Sequence, residues 1–198
     1  MSQRNSEYAR LADDAYYTPE WVTRALIPHL PSYVRRVWEP AAGTKKKIAS
    51  ALRGACYLVR CTDIKTGQDF LAPRRRRFLT RVTTRSIITN PPYLFAQEFI
   101  ERALAITEPQ AEAVAMLLRV DFDSAKTRRH LFENHNAFVR KVVLLDRVRW
   151  IEGSTGSPSE NHAWFIWDWT NPKSIATSPL PTIVYESNPE KAKRKPRG

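Results

Sequence analysis

One eight-residue stretch limits this chain more than any other: Ser86-Ile87-Ile88-Thr89-Asn90-Pro91-Pro92-Tyr93. Ile87, Ile88 and Thr89 are β-branched and read as a buried strand. The strand ends at Asn90. A residue before proline is pushed out of the helical region, and two prolines offer a sheet no N–H. Pro91 and Pro92 keep their carbonyls as acceptors on a stiff backbone. Tyr93 then opens a helical pattern, with Phe95, Phe99, Ala103 and Ile106 near helical spacing. A strand feeding a rigid turn that carries an amide and an aromatic ring suits an active-site loop. The chain supplies its own controls in Asn171-Pro172 and Asn188-Pro189. Neither is followed by a second proline and an aromatic residue, and both read as turn punctuation.

Upstream, Val34 to Trp38 is a short strand leading into Glu39-Pro40-Ala41-Ala42-Gly43-Thr44 and a helical segment around Ile48 to Leu52. Strand, small-residue turn and helix form the ligand-binding start of a doubly wound sheet. Small residues let a ligand approach the backbone, and a helix N-terminus favours an anionic group. Tyr57 to Thr62 is a second strand ending at Asp63-Ile64. Asp63 lies 20 residues after Gly43, where an acid suits ribose hydroxyls.

Further strands are expected at Ala113 to Val120, around Val142 to Leu145 and at His162 to Trp169, with a possible addition at Thr182 to Tyr185. A helix is expected from Ala125 to Asn134, and Gly153 to Ser159 reads as a loop. Before Trp21, Thr18 suits a helix N-cap and Pro19 the first helical position. The tryptophans near the end read as core and edge packing. This order predicts an α/β fold with about seven strands.

With 198 residues the chain is sized for one domain. The expected divisions are a polar arm at 1–15, a core at 16–170, and a Pro/Ser-rich segment with a basic tail at 171–198. No apolar run approaches the roughly 20 residues of a membrane span. Met1 to Arg10 lacks the apolar segment of a secretory signal. Cys56 and Cys61 read as buried thiols of a reducing, cytoplasmic compartment, and no metal site is expected from the Cys and His spacing. The net charge of +12 points to a polyanionic partner, nucleic acid before a membrane surface. Arg74–Arg77, with Arg81 and Arg85 nearby, and the tail cations Lys191, Lys193, Arg194, Lys195 and Arg197 are the candidate phosphate contacts. The sequence fixes no oligomeric state.

Asn90-Pro91-Pro92-Tyr93 resembles the catalytic motif of S-adenosylmethionine-dependent methyltransferases that modify exocyclic or amide nitrogens, above all the phage-type N6-adenine DNA methyltransferases. The resemblance covers roughly Tyr16 to Trp169. It implies a class I methyltransferase (Rossmann-like) fold, a mostly parallel seven-stranded sheet with the last strand antiparallel. It implies S-adenosylmethionine as cofactor and DNA, with RNA as the alternative, as partner. Asn90, Pro91, Pro92 and Tyr93 take the catalytic positions. Tyr17, Thr18 and Pro19 match a segment that closes over the cofactor. Glu39, Pro40, Ala41 and Gly43 match the cofactor loop, and Asp63 and Ile64 the acidic end of the second strand. Asp69 and Phe70 match the segment that meets the cofactor's adenine. Lys45-Lys46-Lys47 departs from the family, which usually continues with another glycine. That places the Lys45 side chain against the cofactor, gives the loop a different course, or lets a lysine reach the cofactor carboxylate or a DNA phosphate. No separate target-recognition domain of usual size is expected in the stretch after Trp169. The same motif serves methyltransferases of RNA and of protein glutamine. A nucleic-acid-binding protein with a decayed methyltransferase fold is the remaining alternative.

Overall fold

The computed structural model describes residues 17–72, 85–133, 135–151, 158–170 and 180–192. The arm at 1–15, the Arg74–Arg77 run, most of the Gly153 to Ser159 loop and the tail cations from Lys193 onward lie outside them. Among the described residues seven strands form one sheet: β1 (Arg36–Glu39), β2 (Leu58–Cys61), β3 (Ser86–Thr89), β4 (Ala113–Arg119), β5 (Phe138–Leu144), β6 (His162–Asp168) and β7 (Thr182–Glu186). Their spatial order is β2-β1-β3-β4-β6-β5-β7. β1 pairs in parallel with both β2 and β3, and β3 with β4. β6 is antiparallel to β4 and β5. It is the last strand of the 16–170 segment. β7 comes from beyond it and pairs in parallel with β5.

The central strands β1, β3, β4 and β6 read as largely apolar runs because both of their faces are covered. Side chains alternate between the faces. Trp38, Ile87, Val114, Met116, Leu118, Phe165 and Trp167 enter one core cluster. Val37, Ile88, Ala115, Leu117, Trp164 and Ile166 enter the other. Helix α3 (Ala96–Thr107) covers the first face with Phe99, Ile100, Ala103 and Leu104. Helices α1 (Glu20–Leu26) and α2 (Lys47–Gly54) cover the second with Trp21, Val22, Leu26, Ile48 and Leu52. A short helix, α4 (Pro189–Ala192), ties back to α1 through an ion pair between Glu190 and Arg24.

Three local expectations need correction. Lys126–Leu131 forms a 3-10 helix, not an α-helix running to Asn134. Four of its six residues are Lys, Arg or His and only Leu131 is buried, so no apolar stripe sustains a longer helix. Helix α1 starts at Glu20, with Pro19 at its N-cap and no side-chain cap. Thr18 is therefore not the cap, and its hydroxyl serves the site described below. Cys56 is exposed and Cys61 only partly buried. Cys56 sits at φ +65 in the turn after α2, and Cys61 ends the edge strand β2.

Trp164 connects the sheet to α1, since its buried indole N–H donates to the Val22 carbonyl at 2.9 Å. Trp164→Phe keeps most of the ring but removes this bond. Urea denaturation is expected to show a loss of about 2 kcal/mol. A change below a few tenths of a kcal/mol would mean α1 is held by other contacts.

Candidate active site

The chain passes from β1 to neighbours on opposite sides, β2 and β3, so a crevice opens at the C-terminal ends of these strands. That is where open α/β sheets bind ligands. A cavity of about 390 Å³ lies there. Of the fifteen residues singled out from the sequence, fourteen line it: Tyr17, Thr18, Glu39, Pro40, Ala41, Gly43, Asp63, Ile64, Asp69, Phe70, Asn90, Pro91, Pro92 and Tyr93. Pro19 does not line it and instead starts α1.

Asp63 staples two loops. One carboxylate oxygen accepts the Gly43 N–H at 2.7 Å, and the other accepts the Lys65 N–H at 2.9 Å. A carboxylate has about four acceptor sites, so it can still take hydroxyl donors from the cavity. Gly43 stands at φ +59, and a Cβ there would meet the Tyr17 ring at 3.2 Å. Both the backbone angle and the close ring favour glycine. Tyr17 also shares a 2.7 Å hydrogen bond between its hydroxyl and that of Thr44. The lysine run follows Thr44. Lys46 is left-handed at φ +47 and precedes α2, Lys45 lies over the Tyr17 ring at 4.8 Å, and Lys47 lines the cavity.

Phe70 is 2% exposed. It packs edge-on against Trp38 at 5.2 Å and against Phe99 at 4.8 Å. Asp69 closes a local turn, one oxygen accepting the Leu71 N–H at 2.8 Å.

Asn90 is the polar centre of the opposite wall. Its Nδ2 donates to Thr18 Oγ1 at 3.2 Å. Its Oδ1 is buried and has no hydrogen-bond partner among the described residues. An unmet buried acceptor costs about 1–3 kcal/mol, which an N–H donor in the cavity would relieve. Pro92 starts the next turn by accepting the Phe95 N–H at 2.9 Å. Tyr93 therefore sits on a short 3-10 segment, Tyr93–Phe95, directly before α3.

Glu39 is 1% exposed. Its carboxyl accepts the Ala49 N–H in the first turn of α2 at 3.1 Å. Burial pushes its pKa up to about 8; the Ala49 bond, Cys61 and Arg53 oppose this, and Asp63 adds to it.

Ala42, Thr44, Ile48, Lys65, Leu71, Phe95 and Phe99, which were not named as site residues from the sequence, also line the cavity, as does Lys47 of the lysine run. Most are sequence neighbours of residues that were named, so widening each segment by one or two positions would have found them.

No family model and no curated protein matches the chain. Among solved structures, it is similar to the type I restriction-modification system methyltransferase subunit from Streptococcus thermophilus. Identity is 12% and the TM-score 0.52, over 93% of this chain and 49% of that one. It is also similar to a chain from a type I R-M system solved for its complex assembly and conformational transition. There identity is 18% and the TM-score 0.51, over 90% of this chain and 46% of that one. The chain spans about half the length of these two proteins. At such identities the likeness establishes a methyltransferase fold.

The raised Glu39 pKa has a fixed sign for stability. The folded state keeps the proton that an unfolded carboxylate loses near pH 4. Its contribution is full below that pH and is lost as pH rises to about 8. Glu39→Gln keeps an acceptor for Ala49 without the titration. In urea titrations of ligand-free protein, the variant is expected to gain on the wild type steadily from pH 5 to pH 8. A constant difference across that range would contradict a protonated Glu39.

Proposed function

We propose that this protein is an S-adenosylmethionine-dependent methyltransferase acting on the N6 amino group of adenine in DNA. The observation that carries the reading is the buried Asn90 Oδ1, which has no hydrogen-bond partner among the described residues, on a residue that lines the cavity. The wall also fits the cofactor. Asp63 suits its ribose hydroxyls, and Asp69 and Phe70 its adenine. The Gly43 loop, with Lys47 and the start of α2, suits its amino-acid end. When bound, S-adenosylmethionine supplies a methyl group already activated on a sulfonium.

The work left to the protein is to hold and orient the nucleophile. An adenine amino nitrogen is weakly nucleophilic because its lone pair is delocalised into the ring. Asn90 Oδ1 accepts one of its N–H groups and the Pro91 carbonyl the other, which returns electron density to nitrogen. Thr18 keeps the amide turned so that its oxygen, not its nitrogen, meets the amino group. Tyr93 stacks on a base flipped out of the duplex. Asn90 is neutral, so the site uses no carboxylate base at this position. The net charge of +12 supports a polyanionic substrate. The similarity to a restriction-modification methyltransferase subunit supports DNA.

The test offers unmodified DNA, RNA and a release factor in parallel to the full chain with methyl-labelled cofactor. Label is expected in DNA, as N6-methyladenine. Label in RNA or protein alone would overturn the DNA assignment, and no cofactor binding at millimolar concentration would overturn the enzyme reading. Asn90→Ala is expected to lower kcat on the order of 100- to 1000-fold with cofactor affinity nearly unchanged by calorimetry. Loss of folding in this variant would show the turn to be structural instead.

A further inference from the structure

Beside the cavity lies a buried titratable ring that the mechanism above does not use. His162 opens β6, is 1% exposed, and faces Arg119 of β4 in the sheet register. Its ring is stacked on Tyr93, with centroids 6.0 Å apart and planes 23° apart. Trp150 meets the same ring edge-on at 4.9 Å and 80°. The three rings stand in series, within the separations at which aromatic pairs attract. Neither nitrogen of His162 has a side-chain partner among the described residues. Burial and the Arg119 charge hold its pKa down at about 4, against the Glu160 backbone and the Asp121 charge, so the ring is neutral at physiological pH.

The strand that carries His162 is tied in place just before it. The Asn161 carbonyl accepts the Val120 N–H at 3.0 Å. The Asn161 side-chain oxygen accepts from Arg147 Nε at 3.1 Å, and the Pro158 carbonyl from the Arg147 guanidinium at 3.1 Å. Arg119 bridges Asp121 and Glu160, each at 3.2 Å. His162 is thus a fixed surface, whereas Tyr93 rides on a short turn between two prolines and α3.

We propose that His162 is a positioning residue: it occupies one face of Tyr93, holds the ring plane, and leaves the opposite face for the target base. The proposal rests on the methyltransferase reading for its effect on rate, but not for its effect on Tyr93. Its chemistry is that of a flat neutral ring. Phenylalanine should replace it, and an aliphatic side chain of similar bulk should not.

The experiment compares the full-length wild type with His162→Phe and His162→Leu. Tyr93 is followed by 19F NMR of 3-fluorotyrosine-labelled protein, its line assigned with Tyr93→Phe. Methylation kinetics and cofactor affinity are measured in parallel, and thermal melts verify folding. In His162→Leu the Tyr93 line is expected to shift toward a mobile ring. kcat is expected to fall on the order of ten- to a hundredfold while cofactor affinity stays within about twofold. His162→Phe is expected to restore kcat and keep Tyr93 ordered. An unmoved Tyr93 line in folded His162→Leu would overturn the proposal. So would equal loss of kcat in both folded variants, which would assign the role to the imidazole nitrogens. If the wild type methylates nothing, the methyltransferase reading falls, and the 19F result alone decides whether His162 positions Tyr93.

Discussion

A side-chain hydrogen bond between residues 72 positions apart, from Asn90 Nδ2 to Thr18 Oγ1, determines what the cavity can do. It uses the donor end of the Asn90 amide and leaves the acceptor end without a partner among the described residues. Both partners depend on larger elements. Thr18 is held by α1, which the Trp164 indole ties to the sheet. Asn90 is held by β3, whose four residues are all buried. The prolines that follow cannot extend the strand, so the amide is fixed where the strand stops.

Around this bond, the strand order does the assembling. Because β1 has neighbours on both sides, the loops after β1, β2 and β3 meet at one edge of the sheet. Asp63 then locks the first two together through backbone N–H groups rather than through another charge. A carboxylate held this way keeps acceptor capacity for a ligand. Glu39 behaves differently on the same wall. It is buried more deeply, and desolvation outweighs its bond to α2, so it holds its proton.

The strands β1, β3, β4 and β6 were legible because burial on both faces leaves continuous apolar runs. Fourteen residues that line the cavity could be named from the sequence because they fall at strand ends and in motifs whose spacing reflects the fold. What the sequence hid was side-chain partnership across distance. Thr18 reads as a helix cap from its neighbours alone, and only the fold reveals that Asn90 claims its hydroxyl. The course of the lysine run was hidden too, since it turns on the left-handed backbone of Lys46 and on the position of Tyr17 under Lys45. His162 carried no local signal, because its contacts come from the segments of Tyr93 and Trp150. The expected helix after Ala125 failed for a local reason, the lack of an apolar face.

The central claim is that Asn90 presents an oxygen to an amino group inside the cavity bounded by the Gly43 loop. A crystal structure of the protein with a non-transferring cofactor analogue and an adenine-containing duplex tests it directly. The account predicts an extruded adenine whose amino nitrogen lies about 3 Å from Asn90 Oδ1, with Thr18 still bonded to Nδ2. An adenine bound with its amino group beyond hydrogen-bonding reach of Asn90, or an Asn90 amide turned out of the cavity, would contradict it.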